Sequence, residues 1–339
     1  MGLPILTPIF ALITPIRTIN RLMISAIICT YNRDKYIYNV LKSIAENDYP
    51  RNLYEIVLVN NNSTDQTEAE CHRFQSDYPD IQFRYFVETN QGLSYARNCG
   101  IRNSKGDLLV YVDDDATVNK EYLHTYADFF ERKAGKKRLP DGSFDTTEAD
   151  PLAVAAGGPI LPVYETKEPA WMSHYTRQLI TGKLYLGDKE RQFPGEAFPG
   201  GGNACYRKSV FDTVGLFNVD LGRKGNSLIG AEEKDLFDKM TTQKMKFYYL
   251  PGAILYHIIP EKKLTDDYFQ RLTYGIGVSE RYRTKQISQK KYLQRLWKEC
   301  IKWGGTLVLW TGFALRGQFA KGNKLVLFRK NVTKGLLKG

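Results

Sequence analysis

Short apolar runs alternate with amphipathic stretches through the first third of the chain. Residues 24–29, 55–59, 81–87 and 108–112 read as strands, and the last, Leu108-Leu109-Val110-Tyr111-Val112, reads as a buried one. Helical segments lie between them. Ile37, Val40, Leu41 and Ile44 recur at helical spacing within 35–45, and further helices are expected up to about Phe74 and over 94–102. This alternation predicts an α/β fold with a doubly wound, largely parallel central sheet. A helix over 120–132 and a polar, charged surface excursion over 133–150 follow. The second half is less regular. It offers a strand at 152–156, a glycine-rich loop at 198–203, a helix opened by Glu232-Glu233-Lys234-Asp235, strand pieces at 247–250 and 253–257, and an amphipathic helix over 266–283.

Polar residues gather where the strands stop. Asp113-Asp114-Asp115 follows the buried run, at the sheet edge where open α/β folds bind ligands. Carboxylates are hard oxygen ligands that suit Mg²⁺ or Mn²⁺ bridging a diphosphate. The plain alternative is a solvated turn, since Asp is common in turns. The first strand runs into Thr30-Tyr31-Asn32-Arg33, and the second into Asn60-Asn61-Asn62-Ser63-Thr64-Asp65, whose Ser, Thr or Asp would also cap the next helix. Glu232, Glu233 and Asp235 suit the first turn of a helix through its dipole, or supply a general base. Three consecutive glycines, 200–202, let the backbone come close to a ligand. His257 ends an apolar stretch, and a neutral imidazole there can ligate Mn²⁺.

Composition narrows the class. With 42% hydrophobic and 25% charged residues in 339, the chain can bury a sizeable core. Five scattered cysteines without a C-x-x-C pair argue for a reducing compartment and against structural zinc, with Cys29 and Cys99 as small core residues. The formal charge of +11 is concentrated at one end. From Lys290 onward there are twelve Lys/Arg and one acid, Glu299, while the rest of the chain is balanced. The longest late apolar stretch, 303–315, holds three glycines and is too short to span a bilayer, which takes about 20 residues. At the front, Pro4, Pro8 and Pro15 break an apolar stretch that has no positive lead-in, so residues 1–22 read as an extension outside the fold. Three N-x-[ST] sequons, headed by Asn61, Asn62 and Asn331, are read as chance.

Taken in order, Cys29-Thr30-Tyr31-Asn32-Arg33, Asn62-Ser63-Thr64-Asp65, Asn90-Gln91-Gly92 with Ala96-Arg97-Asn98, the DxD-type Asp113-Asp114-Asp115, the glycine loop with Asn203 and Glu232-Glu233-Lys234-Asp235 resemble the family 2 glycosyltransferases over about residues 24–260. The resemblance implies a GT-A fold that binds a nucleotide-diphospho-sugar. It implies nucleotide contacts from Thr30, Tyr31, Asn32, Arg33, Asn60, Asn61, Asp65, Arg97, Asp113 and Asp114. Asp115 and His257 would hold Mn²⁺ or Mg²⁺, and Gly201, Gly202 and Asn203 would line the sugar and acceptor. Glu233 is the favoured general base, with Glu232 and Asp235 as rivals, because the family has Asp where this chain has Glu233. Asn60 and Asn61 stand where relatives carry an aspartate that reads uracil. Arg97 has a plain reading too, as a surface arginine in a salt bridge.

The chain is therefore expected to be an inverting, metal-dependent hexosyltransferase that takes a nucleotide sugar, a UDP-sugar by preference, to a glycan or lipid-linked acceptor in surface polysaccharide assembly. A nucleotidyltransferase and a degenerate, membrane-docked binding module are the alternatives. The expected layout is an extension over 1–22, a catalytic domain over 23–264 with a nucleotide half (23–118) and an acceptor half (151–264), and helices over 265–339. The basic stretch 290–339 interleaves Tyr292, Leu293, Leu296, Trp297, Ile301 and Trp303 with lysines. That pattern fits an interfacial helix on the anionic inner face of a cell membrane. No nucleic-acid motif is present, and oligomeric state is left open.

Overall fold

The structure, a computed structural model, describes residues 22–141, 143–224 and 230–339. Apart from Leu22, the expected extension over 1–22 lies outside the described residues.

The apolar runs become strands covered on both sides. β1 (Ile24–Thr30), β2 (Tyr54–Asn60), β3 (Phe83–Val87) and β4 (Leu108–Val112) pair in parallel in the order β4-β1-β2-β3. Their side chains alternate between two layers. Ala26, Ile28, Ile56, Leu58 and Val110 meet α1 (Asp34–Ala45), α2 (Thr67–Asp77) and α4 (Tyr122–Lys133). Ile27, Val57, Val59, Leu109 and Tyr111 face the layer holding α3 (Leu93–Asn103). Each fully buried Leu, Ile or Phe contributes about 1.5–3 kcal/mol on leaving water. The two layers therefore fix where the strands end, and with them the polar loops.

A short strand, β5 (Ala116–Val118), follows the aspartates. The excursion after α4 carries only a two-residue hairpin, β6 (Lys137–Arg138) with β7 (Phe144–Asp145). Beyond it come β8 (Ala153–Gly157), β9 (Ile160–Tyr164), α5 (His174–Thr181), β10 (Arg191–Gln192), β11 (Asn203–Arg207), α6 (Val210–Val214), α7 (Glu232–Thr242), β12 (Lys246–Tyr249) and β13 (Leu255–Ile259). The central sheet has eight strands in the order β10-β12-β8-β11-β4-β1-β2-β3 and is mostly parallel, but β11 runs antiparallel between β4 and β8. Leu236, Phe237 and Met240 of α7 complete the layer over α3. A second sheet, β5-β13-β9, sets His257 opposite Ala116, one residue after Asp115.

The periodicity gave no sign of β9, α5 or β11. β9 carries Pro162 between half-buried Leu161 and exposed Val163, and β11 begins directly at the end of the glycine loop.

Residues 265–339 form three helices, α8 (Asp266–Ile287), α9 (Gln289–Ala314) and α10 (Phe319–Lys338). α8 and α10 touch backbone to backbone: a Cβ on Gly277 would stand 2.2 Å from the Val332 carbonyl oxygen, and one on Gly335 2.4 Å from that of Tyr274. Much of the basic charge is spent inside this bundle. Arg295 bonds Glu280 and Glu299, Arg329 bonds Glu299, and Lys324 meets Asp266. No helix among the described residues is long and apolar enough to cross a membrane. The five cysteines are free; Cys71 and Cys205 are the buried ones, while Cys29 and Cys99 are half-buried against the core.

Candidate active site

Two loops at the carboxyl ends of β1 and β2 are stitched together by hydrogen bonds. The Asn32 and Arg33 amides donate to Ser63 Oγ (3.0 Å) and Thr67 Oγ1 (2.8 Å), and the Asp34 amide donates to Asp65 (3.2 Å). Asn32 Oδ1 accepts from the Thr64 amide at 2.8 Å. Asn32 and Asn62 adopt left-handed backbone angles (φ 53° and 66°), which asparagine tolerates better than most residues. The result is a rigid floor under the edge where β1, β2 and β4 end.

The aspartates project over this floor. Asp114 accepts from the Tyr31 amide (3.3 Å) and from Arg33 Nε (3.1 Å). Burial, reinforced by Asp115 and Asp113 and opposed by Arg33, pushes its carboxyl up to about 6. Asp115 is buried and ringed by cations: Lys263 Nζ at 2.8 Å, His257 Nε2 at 3.2 Å and an Arg33 amine at 3.9 Å. Burial would raise its pKa, but Lys263, His257 and Arg33 outweigh it and hold the group well below the usual carboxylate range. Asp113 has no ion pair among the described residues and presses its carboxylate on the Gly202 backbone, where a Cβ would stand 2.0 Å from Oδ2.

The glutamates approach the same loop from the other side. Arg97, at 3% exposure, donates one amine to Glu232 Oε1 (2.8 Å) and the other to Glu233 Oε1 (2.6 Å). Glu233 Oε2 accepts from the Gly201 amide at 3.0 Å, and a Cβ on Gly201 would fall 1.6 Å from Glu233 Oε1. Glycine is thus required at 201 and 202 because two carboxylates occupy the space of their side chains. The loop thus meets Asp113 at Gly202 and Glu233 at the adjacent Gly201. Glu233 is partly open to solvent, whereas Glu232 is 4% exposed. Burial raises the Glu232 carboxyl, against the pull of Arg97.

Several expected contacts turn out to be committed elsewhere. Asn60 bonds the Tyr85 hydroxyl (2.7 Å) and the Ser63 amide (2.9 Å). Asn61 donates to the Glu88 and Asn90 carbonyls (both 2.8 Å) and accepts from the Gly92 amide (2.7 Å). An aspartate cannot donate, so asparagine at 61 follows from these two carbonyls rather than from a base it would read. Asn203 is fully buried. It accepts from the Tyr122 and Tyr126 hydroxyls (2.7 and 2.6 Å) and donates to the Pro159 and Ala253 carbonyls, so it anchors the loop from below instead of lining it. Arg97, expected beside the nucleotide, has its guanidinium enclosed by the two glutamates and the rings of Tyr111 and Phe217. Asp235 pairs with Lys239 one turn along α7, at 2.9 Å.

Two residues at the site carried no signal in the sequence. Lys263, in the 3₁₀ turn Glu261–Leu264, is buried and bonds both Asp115 and His257. Arg223 is exposed by surface area; desolvation works against its charge, but Tyr268, Asp113, Glu232 and Asp115 raise its pKa. Nothing in the local pattern separates either from an ordinary surface cation.

The donor set was tested for a divalent ion. Asp115 and His257 are the right ligand types, and the His257 ring is oriented as a metal-ligating histidine would be, with Nδ1 2.6 Å from the Thr181 carbonyl oxygen. The described residues hold no group of three His, Cys, Asp or Glu that would close such a site, and the Lys263 ammonium is bonded to both candidate ligands. The residues present do not fit a metal as they stand.

The sequence profile of Glycosyl transferase family 2 matches residues 25–135, which span β1 to the end of α4. The chain is 26% identical to the glucosyl-dolichyl phosphate glucuronosyltransferase of Haloferax volcanii over 268 residues, 76% of either protein. It is 32% identical over 107 residues to the poly(ribitol-phosphate) beta-N-acetylglucosaminyltransferase TarS of Staphylococcus aureus, a match that spans only 18% of that longer protein. Among solved structures it resembles the mannosyltransferase PcManGT of Pyrobaculum calidifontis, in complex with GDP-Man and Mn²⁺, with a TM-score of 0.59 at 18% identity over 94% of this chain and 88% of that one. The profile match takes in the stitched β1 and β2 loops and the aspartates, and the fold match extends past the glycine loop and α7: residues 25–135 are similar to Glycosyl transferase family 2, and the chain has a GT-A fold.

Proposed function

We propose that the protein is an inverting glycosyltransferase that moves one sugar from a nucleotide diphosphate donor to a hydroxyl of a lipid-linked or glycan acceptor. The observation that carries this reading is the convergence of Asp113 and Glu233 on two adjacent glycines, 202 and 201, of one loop. The donor diphosphate lies on the Asp113 side, over the floor made by 30–33 and 60–65, within reach of Arg33 and Arg223. The acceptor hydroxyl lies on the Glu233 side. Its oxygen attacks the anomeric carbon, the bond from that carbon to the diphosphate oxygen breaks, and the electron pair leaves with the nucleoside diphosphate. Glu233 takes the hydroxyl proton. Arg97 positions Glu233 and pairs with Glu232 beside it.

A UDP-sugar is the donor we favour, although Asn60 and Asn61 do not supply the base contact. Melting of the full chain with UDP, GDP, CDP, TDP and UMP tests this, because a ligand selective for the folded state raises the melting temperature. The expected result is a shift with UDP above the others. No shift with any of them would remove the donor reading. A nucleotidyltransferase is not favoured: the chain's relatives are glycosyltransferases, and pyrophosphate release from a nucleoside triphosphate is expected to be absent.

The acceptor reading draws on two observations. The Haloferax relative is named for a dolichyl phosphate-linked sugar. On α9, Leu293, Trp297, Ile301 and Val308 lie along one outward face, 56–73% exposed, and exposed Lys291, Lys298 and Lys302 flank them. Such a face suits the interface of an anionic membrane, with the rings at headgroup depth and the ammonium groups on phosphates. Cosedimentation with phosphatidylglycerol vesicles is expected for the full chain and is expected to fall strongly in a Trp297→Ala/Ile301→Ser variant. Equal binding by the two proteins would remove the membrane from this reading.

A further inference from the structure

Lys263 stands at the one place in this site where a divalent ion would be sought. It is 6% exposed, and its Nζ lies 2.8 Å from Asp115 Oδ2 and 3.0 Å from His257 Nε2. A buried ammonium is costly unless paired and hydrogen-bonded, and here it is both. The chemistry of His257 sharpens the point. Its Nδ1 lies 2.6 Å from the Thr181 carbonyl oxygen, which can only accept, so Nδ1 carries a proton and Nε2 is the nitrogen turned to the site, 3.0 Å from Lys263 Nζ and 3.2 Å from Asp115 Oδ1. A metal bound to Asp115 and Nε2 would have to displace Lys263 from both.

We propose that Lys263 is the resident cation of the diphosphate site, so that nucleotide diphosphate binding here depends on the Lys263 ammonium and not on a divalent metal. The inference rests on the donor reading above. A compact, strongly charged ammonium fixed by Asp115 and His257 provides a point of positive charge beside the phosphates, as phosphate-binding lysines do elsewhere. Arg33, 3.9 Å from Asp115, and Arg223, which interacts with Asp113 and Asp115, add to the same field. The turn Glu261–Leu264 connects β13, which carries His257, to α8, so the sheet and the C-terminal helices hold the ammonium in place jointly.

The test is calorimetric titration of the full chain with UDP and with GDP, once after treatment with EDTA and once with Mn²⁺ added. The expected result is an affinity that agrees between the two conditions within about twofold, too little to be a lost contact. Lys263→Ala in EDTA is expected to bind about 10- to 100-fold more weakly, the worth of one charge-assisted hydrogen bond. Mn²⁺ is expected to restore part of that loss, because Asp115 and His257 are then free to ligate it. A wild-type protein that binds nucleotide only with Mn²⁺ overturns the inference and leaves the donor reading standing. A protein that binds neither nucleotide in either condition overturns both. The wild-type comparison does not depend on Lys263→Ala folding.

Discussion

The acids of the C-terminal helices and those at the sheet edge are the same chemical groups under opposite supplies of positive charge. Glu280 on α8 is met by Lys234 (3.2 Å), Arg283 (3.2 Å) and Arg295 (3.0 Å). Burial would raise its carboxyl, but these three cations bring it down to about 2. Glu299 likewise takes Arg295 and Arg329, at 2.7 and 2.8 Å. At the sheet edge one guanidinium, Arg97, serves both Glu232 and Glu233, burial holds Glu232 up, and Asp114 rises to about 6. An acid surrounded by cations is locked as an anion and does structural service. Glu232 and Asp114, with fewer cations about them, keep some affinity for a proton. Asp115 is the exception at the edge, and its surplus is what singled out Lys263.

The largest expected effect comes from Glu233, the acid placed beside the acceptor. Glu233→Gln keeps one acceptor oxygen, for either Arg97 or the Gly201 amide, but cannot take a proton. We expect turnover to fall about 10²–10⁴-fold, with the melting temperature nearly unchanged, measured as nucleoside diphosphate release. Turnover like that of the wild type would pass the role to Glu232 or Asp235. Next in size is the cation they share. Arg97→Met leaves Glu232 buried and unpaired, and breaking a buried pair from one side costs about 3–5 kcal/mol. Urea unfolding reads this directly, and Arg97→Lys should recover part of it. A stable Arg97→Met protein would mean that the edge acids are not short of charge at all.

These contrasts were only partly legible in the sequence. The strand–helix order and the acids at strand ends follow from periodicity and turn chemistry, because both act over a few residues. Partners do not. Arg97 and Glu232 are 135 residues apart, and Lys263 and Asp115 are 148 apart. Asn203 shows the same limit. Its place after three glycines points to a ligand, yet tyrosines from α4 claim its amide oxygen in a buried network. The basic end of the chain shows a further limit. Its pattern suggests an interfacial helix but does not tell which cations turn inward: Arg295 and Arg329 face Glu299 and leave an apolar stripe as the outer face of α9.

The smallest effect is also the cleanest check on the structural side of the comparison. Glu280 ties α8 to α7, the helix that carries Glu232 and Glu233, through Lys234, and Arg283 adds a bond to Asp238 at 2.6 Å. Its carboxyl is depressed on folding, from an ordinary value of 4.5 to about 2. The folded state thus binds fewer protons than the unfolded one between those limits. The stabilisation is complete above about pH 4.5 and is lost as pH falls toward about pH 2, with a size on the order of 3 kcal/mol. Glu280→Gln removes it at every pH. The unfolding free energies of the two proteins should therefore differ most at about pH 6 and draw together on acidification. A gap that stays constant down to about pH 3 would show that Glu280 contributes through packing alone and that surplus charge is not what holds the helices to α7.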